Sequence, residues 1–457
     1  MRCRVTTRNR GGRLHAALAA ATVAALTLVS CGEPEPEQPD ATETQPDDPD
    51  PDAGCDGTIT QDEIEIWWHD GLEAEADTMR AFVEEFNATQ DDVTATLTLV
   101  PEAGYPAELR LAAATGTLPD VVDVDASFAF AYAWSGQLQP IDGCLDAELR
   151  EDLLPSILAQ GTYNDQLWAV GMFESGLGIY ALRSALEQVD ARIPAQPADA
   201  WSIDEFDALL SDLRAAGYEQ PLDAKRNYEQ GEFLSYLYQP MLWSAGADLV
   251  DPDVTTAEGW INAPEAVEAV SRIQAWHTDG YVHPNEEDQA FVEGEAALSM
   301  VGHWELERYL DAHGEDLLLL PLPDFGTGTV SAQGSWQWAV NADTDADAAW
   351  TFIEYTLQPE QVERMAEAGG AIPSRTSVAD DSARFGPGGP GELFLTQLED
   401  GYTRPRLPHP VYPELTRTFA MTMINILDGG DVASLLDMAA AMIDGDLEAN
   451  RGYAVVD

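Results

Sequence analysis

The sequence predicts an α/β protein of two lobes. Three observations carry that expectation. The chain has 457 residues, 45% of them apolar, which is more than one ordinary core accommodates. Its first third runs strand, helix, strand, helix, strand, the signature of a parallel sheet wrapped by helices. Mixed strand and helix patterns then return after "LWAVGMFESGLGIYAL".

"EIEIWWHD", Glu63 to Asp70, alternates Ile64, Ile66 and Trp68 with polar residues, so it reads as a strand, with His69-Asp70-Gly71 as the turn at its C-terminal end. A helix follows with Met79, Phe82, Val83 and Phe86 on one face. "VTATLTLV", Val93 to Val100, alternates as a second strand, and "YPAELRLAAATG" is helical up to Gly116, a C-cap. "DVVDVDA", Asp120 to Ala126, is a third strand. In such sheets ligands gather at the C-terminal ends of the strands.

Further on, "SIDEFDALLSDLRAAG" is a helix with Ser202 as N-cap, Glu205 at the capping-box position and Gly217 at its end. Helical segments continue from Trp260 to Gly280. "ALSMVGHWELERYL" is a strand that stops at Gly302 and a helix that resumes at Leu306, with Trp304 on neither apolar face. "DLLLLPLP" is a strand, "GSWQWAVN" leads into the helix "ADAAWTFIEYTLQ", and helices near Phe419 to Ile426 and Val432 to Glu448 close the chain. No short-period repeat and no membrane-spanning stretch follows the first thirty residues.

Those thirty residues read as a signal peptide. Arg2, Arg4, Arg8, Arg10 and Arg13 form a basic region, and Ala16 to Val29 is an apolar run too short to span a membrane. Leu28-Val29-Ser30-Cys31 resembles a bacterial lipobox, which implies cleavage before Cys31, a diacylglycerol on its thiol and anchoring to the outer face of the cell membrane. The alternative is a plain secretory signal with an incidental cysteine. Residues 31–55 then hold the lipidated cysteine and an acidic, Pro-rich spacer, Gly32 to Gly54, which has no basic residue and reads as extended linker. Cys55 and Cys144 remain for the globular part. In an exported chain they read as one disulfide, with free thiols as the alternative, and they lack the further partners a metal site needs.

The formal charge is −60, from 82 Asp plus Glu against 22 Lys plus Arg, so phosphate-rich partners are repelled and nucleic-acid binding is excluded as an expectation. Loss of the five signal arginines leaves 17 basic residues. Lys225 is the only lysine. Acids spread along the whole chain read as a solubility adaptation rather than a site.

Catalytic signatures are poor. The sequence lacks G-x-S-x-G, H-E-x-x-H, a P-loop and a dinucleotide fingerprint, so no cofactor, metal or catalytic residue is expected and the protein reads as a non-enzyme. The aromatic residues say more. Trp67, Trp68, Trp304, Trp336, Trp338 and Tyr412 fall at or near strand ends, turns or loops, where ring faces suit sugars; core packing is the competing reading for each.

The ordered segments "IEIWWHD", "LRLAAATGTLPDVVDVDASFAFAYAWSGQLQPID", "LWAVGMFESGLGIYAL", "FVEGEAALSMVGHW", "GSWQWAVN" with the helix after it, and "RPRLPHPVYPEL" together resemble the extracellular solute-binding proteins of bacterial ABC importers, in the maltose- and oligosaccharide-binding branch. The resemblance runs from Ile64 to about Leu447. It implies a two-lobed, periplasmic-binding-protein-like fold, with lobe one at 56–171 plus 335–378 and lobe two at 172–334 plus 379–457, two crossings forming a hinge, and a sugar in the cleft.

Carried over residue by residue, it implies ligand contacts at His69 and Asp70 after the first strand, Asp125 and Ser127 after the third, Glu174 in "GMFESG", Tyr236 in "YLYQP", Trp304 in the G-x-W turn, Trp336 in "GSW", and Tyr412. Ser335 stands where many members have a second glycine, and His-Asp replaces the more usual small or polar residues of the first turn. The expected function is capture of a sugar, an oligosaccharide, and delivery to a membrane permease by a monomeric lipoprotein. The same fold holding a polyamine or other non-sugar solute is the alternative, and a secreted glycan-active hydrolase is a third reading.

Overall fold

The first strand, β1 (Glu63–Asp70), buries Ile64, Ile66 and Trp68 and turns Glu63 and Glu65 to solvent, as its alternation requires. The computed structural model describes residues 54–228 and 232–454. The expected signal peptide, Cys31 and the acidic stretch up to residue 53 lie outside the described residues. Helix α1 (Glu73–Thr89) lays Met79, Phe82, Val83 and Phe86 on β1, and β2 (Thr94–Pro101) pairs with β1 in parallel along its whole length. Helix α2 (Tyr105–Thr115) is capped by Gly116 at φ 64°. It leads to β3 (Val121–Asp125), whose Val121, Val122, Asp123 and Val124 are all buried. Helix α3 (Ala126–Trp134), β4 (Leu138–Gln139), α4 (Pro155–Gly161) and β5 (Ala169–Val170) follow.

Beyond β6 (Phe173–Glu174) comes a second set. It contains β7 (Leu177–Leu182), buried at every position, α5 (Ile203–Ala216), with the complete Ser202–Glu205 capping box, and β8 (Leu222–Asp223). Then come α6 (Phe233–Ser244), α7 (Pro264–Thr278), β9 (Leu298–Gly302), α8 (Leu306–His313) and β10 (Leu317–Leu320). The chain next forms β11 (Trp336–Asn341), α9 (Ala346–Thr356), α10 (Pro359–Gly369) and β12 (Ile372–Pro373), and ends with α11 (Tyr412–Leu427) and α12 (Val432–Ala449). The first of these last helices begins seven residues earlier than its apolar pattern predicts, because Pro413 is tolerated in a first turn.

Two sheets result. The first has the order β2-β1-β3-β11-β4, with β5 also on β11; β1, β2 and β3 are parallel and β11 runs antiparallel to β3. The second has the order β8-β9-β7-β10 and is mixed, β8 being parallel to β9 and the other pairs antiparallel. The first sheet is thus completed by a strand about two hundred residues downstream, and the chain must leave and return.

It passes between the sheets three times, one more than the two hinge crossings expected, as the three changes of lobe in the expected bounds require. The first passage is the stretch between β5 and β7, and the second lies between β10 and β11. The third follows β12: Arg375 Nε binds Asp152 on the first lobe at 2.6 Å, and Arg384 Nη2 already binds Glu307 on the second at 2.7 Å. The β6–β12 pair ties the first and third passages together.

Trp68 and Trp338, expected near strand ends, are 1% exposed and pack on each other in the first core, 5.0 Å between ring centres. Cys55 and Cys144, 89 residues apart, form a disulfide. Among the described residues no helix is long and apolar enough to cross a membrane.

Candidate ligand-binding site

The C-terminal ends of β1 and β3 and the start of β11 form one wall. His69 ends β1 with its side chain inward. Its Nδ1 bonds Asp123, its Nε2 lies 3.6 Å from Glu75, and its ring stacks on Trp336 at 4.1 Å and 13° and on Trp68 at 4.8 Å. Burial alone would drive this imidazole toward neutrality, but the charge of Asp123 and the hydrogen bonds to Asp123 and Glu75 outweigh it and push the pKa up to about 10. His69 is therefore a buried imidazolium stacked beneath Trp336, whose ring is half-buried, and as a sequence-predicted ligand contact it has little exposed surface. Asp70, next to it, is exposed. Ser127 is buried at the start of α3 and lies 3.5 Å from Asp125.

The opposite wall is the turn after β9. Here Gly302 solves the puzzle of Trp304: the indole folds back over Gly302, and a Cβ on that residue would stand 2.0 Å from a ring carbon. Only glycine permits the approach, so the G-x-W spacing is steric. Trp304 is half-buried, with Tyr236 at 6.3 Å and Phe233 at 6.4 Å. Its neighbour His303 is buried. His303 Nδ1 lies 3.1 Å from the Gly370 carbonyl, to which it donates, leaving Nε2 to accept from the Ser175 hydroxyl at 2.8 Å. Burial drives this histidine down to about 4, against the opposing pull of Glu75 and the Gly370 and Gly369 carbonyls.

Between the walls lies Arg406, which sequence reasoning missed. It is 5% exposed, grips Asp125 of the first lobe with Nη2–Oδ1 at 2.6 Å and Nη1–Oδ2 at 2.9 Å, and reaches Glu232 of the second at 3.0 Å. Its guanidinium lies 5.3 Å from the centre of the Tyr236 ring. Gly334 of "GSW" makes room, since a Cβ there would stand 2.8 Å from both Arg406 and Tyr236. Ser335, the departure from the family pattern, is buried and donates to the Phe173 carbonyl, binding the second passage to the first.

Two further predicted contacts are buried behind these groups. Glu174 is wholly buried: it accepts from Gln160 at 2.6 Å, the Ser175 amide at 2.9 Å and the Gly334 amide at 3.1 Å. Burial pushes its carboxyl up to about 7 despite the hydrogen bonds it accepts, led by that of Ser156. It staples two passages and has no surface for a ligand in this structure. Tyr412 is likewise buried, its hydroxyl donated to Glu232 and its ring packed edge-on against Phe128 at 5.9 Å. Of the nine predicted contacts, Asp70, Asp125, Trp304 and Trp336 keep exposed or half-buried surface; His69, Ser127, Glu174, Tyr236 and Tyr412 form the supporting layer.

Acids gather at the strand ends of β1, β2 and β3. Glu102, at the end of β2, has its carboxyl raised by desolvation and by Glu75 and Asp125, with His69 pulling the other way. Among the described residues no group of three His, Cys, Asp or Glu could hold a metal ion. A surface hollow of about 370 Å3 beside β10 is lined by Pro194, Leu318 and Leu393 and lies outside this aromatic cleft.

Residues 81–385 match the family described as bacterial extracellular solute-binding protein. The chain belongs to this family. Solved structures share the solute-binding fold at low identity. The cyclic alpha-maltosyl-1,6-maltose binding protein of Arthrobacter globiformis is 24% identical with a TM-score of 0.69, over 85% of this chain and 100% of that one. The GacH receptor of Streptomyces glaucescens, solved unliganded and with acarbose, is 22% identical with a TM-score of 0.71, over 87% and 100%. UgpB of Mycobacterium tuberculosis, solved with glycerophosphocholine, is 21% identical with a TM-score of 0.70, over 85% and 99%. No curated protein sequence matches the chain. In this solute-binding protein the two lobes seen here are those of the two-lobed, maltose-binding-protein-like fold.

Proposed function

We propose that this solute-binding protein captures a saccharide of two or more units between its lobes and delivers it to the permease of an ABC importer, without chemical turnover. The observation that carries the reading is Trp304, a large half-buried ring held over a glycine at a strand end, beside Tyr236, whose ring also meets Arg406 between Asp125 and Glu232. A flat ring meets the C–H face of a sugar, and fixed charges hydrogen-bond its hydroxyls. The proposal places lobe one at 56–171 plus 335–378 and lobe two at 172–334 plus 379–457, with a lipid on Cys31 tethering a monomer outside the membrane. The fold alone leaves ligand identity open, since its members were solved with acarbose and with glycerophosphocholine.

A second reading has one observation in its favour. Asp125 and Glu232 share one arginine, and Glu102 and Glu75 add negative charge beside Asp125, a balance that suits a cationic solute such as a polyamine. Calorimetry over maltooligosaccharides, polyols and spermidine separates the two. Saccharide binding with none for spermidine supports the first reading; the reverse overturns it.

A further inference from the structure

The only lysine of the chain is buried. Lys225 is 1% exposed, two residues past the end of β8, at φ 50°. Its Nζ lies 2.7 Å from Asp288, 3.3 Å from Glu305 and 3.6 Å from Asp223, three carboxylates from three separate segments. The rings of Tyr228 and Tyr309 flank the ammonium at 5.3 and 5.4 Å. Every other basic side chain outside the signal is arginine or histidine, so a lysine here needs a reason. An ammonium is a compact charge with three rotatable donors, and it meets acids from three directions where a planar fork serves two parallel contacts best. Buried charges persist only when paired this way.

Glu305 is where this cluster meets the turn that carries Trp304. It is 4% exposed and the residue directly after Trp304. Besides Lys225 it is held by the Tyr228 hydroxyl at 3.1 Å and by Arg308 Nη1 at 3.1 Å. Arg308 also holds Asp288 at 2.7 Å. On the other side of Trp304 stands His303, fixed to Ser175 and to the Gly370 carbonyl. The turn is thus anchored at both flanking residues, and the indole between them has its backbone set on either side.

We propose that Lys225 is a positioning residue of the binding site, acting through Glu305 to fix the turn and present the Trp304 ring to the ligand. This rests on the reading of Trp304 as a ligand-facing ring. It also accounts for Glu305 and His303, which touch no ligand-facing surface themselves.

Hydrogen exchange on the intact folded protein tests it without any ligand. In Lys225→Met, amides of residues 302–308 are expected to exchange about tenfold faster or more, while β7 and the first sheet keep their protection. Unchanged protection in 302–308, or an equal loss across both sheets, overturns the proposal. Should Lys225→Met fail to fold, Glu305→Gln, which keeps the shape and removes one charge, decides on the same readout.

Binding of maltotetraose as probe then shows the route. Glu305→Gln is expected to weaken it by about tenfold in the wild-type background and hardly at all in Trp304→Ala, the non-additivity of residues that act as a unit. Equal losses in both backgrounds overturn the route through Trp304. If Trp304→Ala alone leaves binding unchanged, the saccharide reading of that ring falls, while the exchange result still decides whether Lys225 holds the turn.

Discussion

Two buried histidines lie near strand ends of the two lobes, each 3% exposed and each beside a tryptophan. Yet His69 is pushed up to about 10 and His303 down to about 4. Burial penalises the charged form of both, so the difference comes from the partners. His69 meets Asp123 and Glu75; His303 meets a hydroxyl and a backbone carbonyl. Protonation is set by what the fold brings to each ring, and the two lobes carry opposite solutions: a charged ring beneath Trp336 and a neutral one beside Trp304.

The comparison breaks most severely if the carboxylate is taken from His69. Asp123→Asn removes the main group that holds the His69 proton, so the buried ring must either give the proton up or keep it with only Glu75 nearby, and the loss is expected to be about 3–5 kcal/mol in urea unfolding at pH 7. A loss below about 1 kcal/mol would mean that His69 is neutral in the native protein.

The pH profile of stability comes next. His69 binds its proton more tightly folded than unfolded, so its contribution is complete below about pH 6.5 and is lost as pH rises toward 10. His303 binds its proton more weakly when folded, so its contribution is complete above about pH 6.5 and is lost as pH falls toward 4. For His303 the shift corresponds to about 3 kcal/mol. His303→Gln is expected to flatten the acid side of the unfolding profile and leave the alkaline side in place; an unchanged acid side contradicts the assignment.

A conversion experiment sharpens the same point. Ser175→Asp places a carboxylate beside His303 Nε2, and the ring's pKa, followed by NMR, is expected to rise above 6.5. Ser175→Ala removes the donor instead and is expected to cost about 1–2 kcal/mol with the ring still neutral at pH 7.

Much of this arrangement was legible in the sequence. The alternation of β1, the apolar face of α1, the Ser202–Glu205 capping box and the Gly116 and Gly217 ends are local patterns, and local patterns survive folding. The strand-end positions of Asp125, Trp304 and Trp336 followed from the same patterns together with the family resemblance. What did not show were pairings across long separations. Arg406 meets Asp125 over 281 residues and Glu232 over 174, and in a chain with 82 acids no single carboxylate stands out as a partner.

Glu174 and Tyr412 sat at the right places in the order but were drawn inward by hydrogen bonds that sequence spacing cannot reveal. The third passage was implied by the lobe bounds, which change lobe at 378/379, but the hinge was counted as two crossings. Lys225, alone of its kind, was the one visible sign of the cluster behind Trp304, and it was read only as a feature of composition.

The smallest effect is expected at Glu174. Glu174→Gln keeps the acceptors for the Ser175 and Gly334 amides, and Gln160 can turn its unpaired oxygen toward the new amide. Ligand affinity is expected to stay within about threefold of wild type, as for changes away from the contact surface. A loss of a hundredfold would restore Glu174 as a direct ligand contact.

The most direct test of the account is titration calorimetry of wild type and Trp304→Ala against a series of maltooligosaccharides, with melting temperatures recorded for both. The account expects a saccharide to bind the wild type and to bind Trp304→Ala about ten- to a hundredfold more weakly at a nearly unchanged melting temperature. Equal affinities for the two proteins, or no saccharide binding by the wild type, would contradict it.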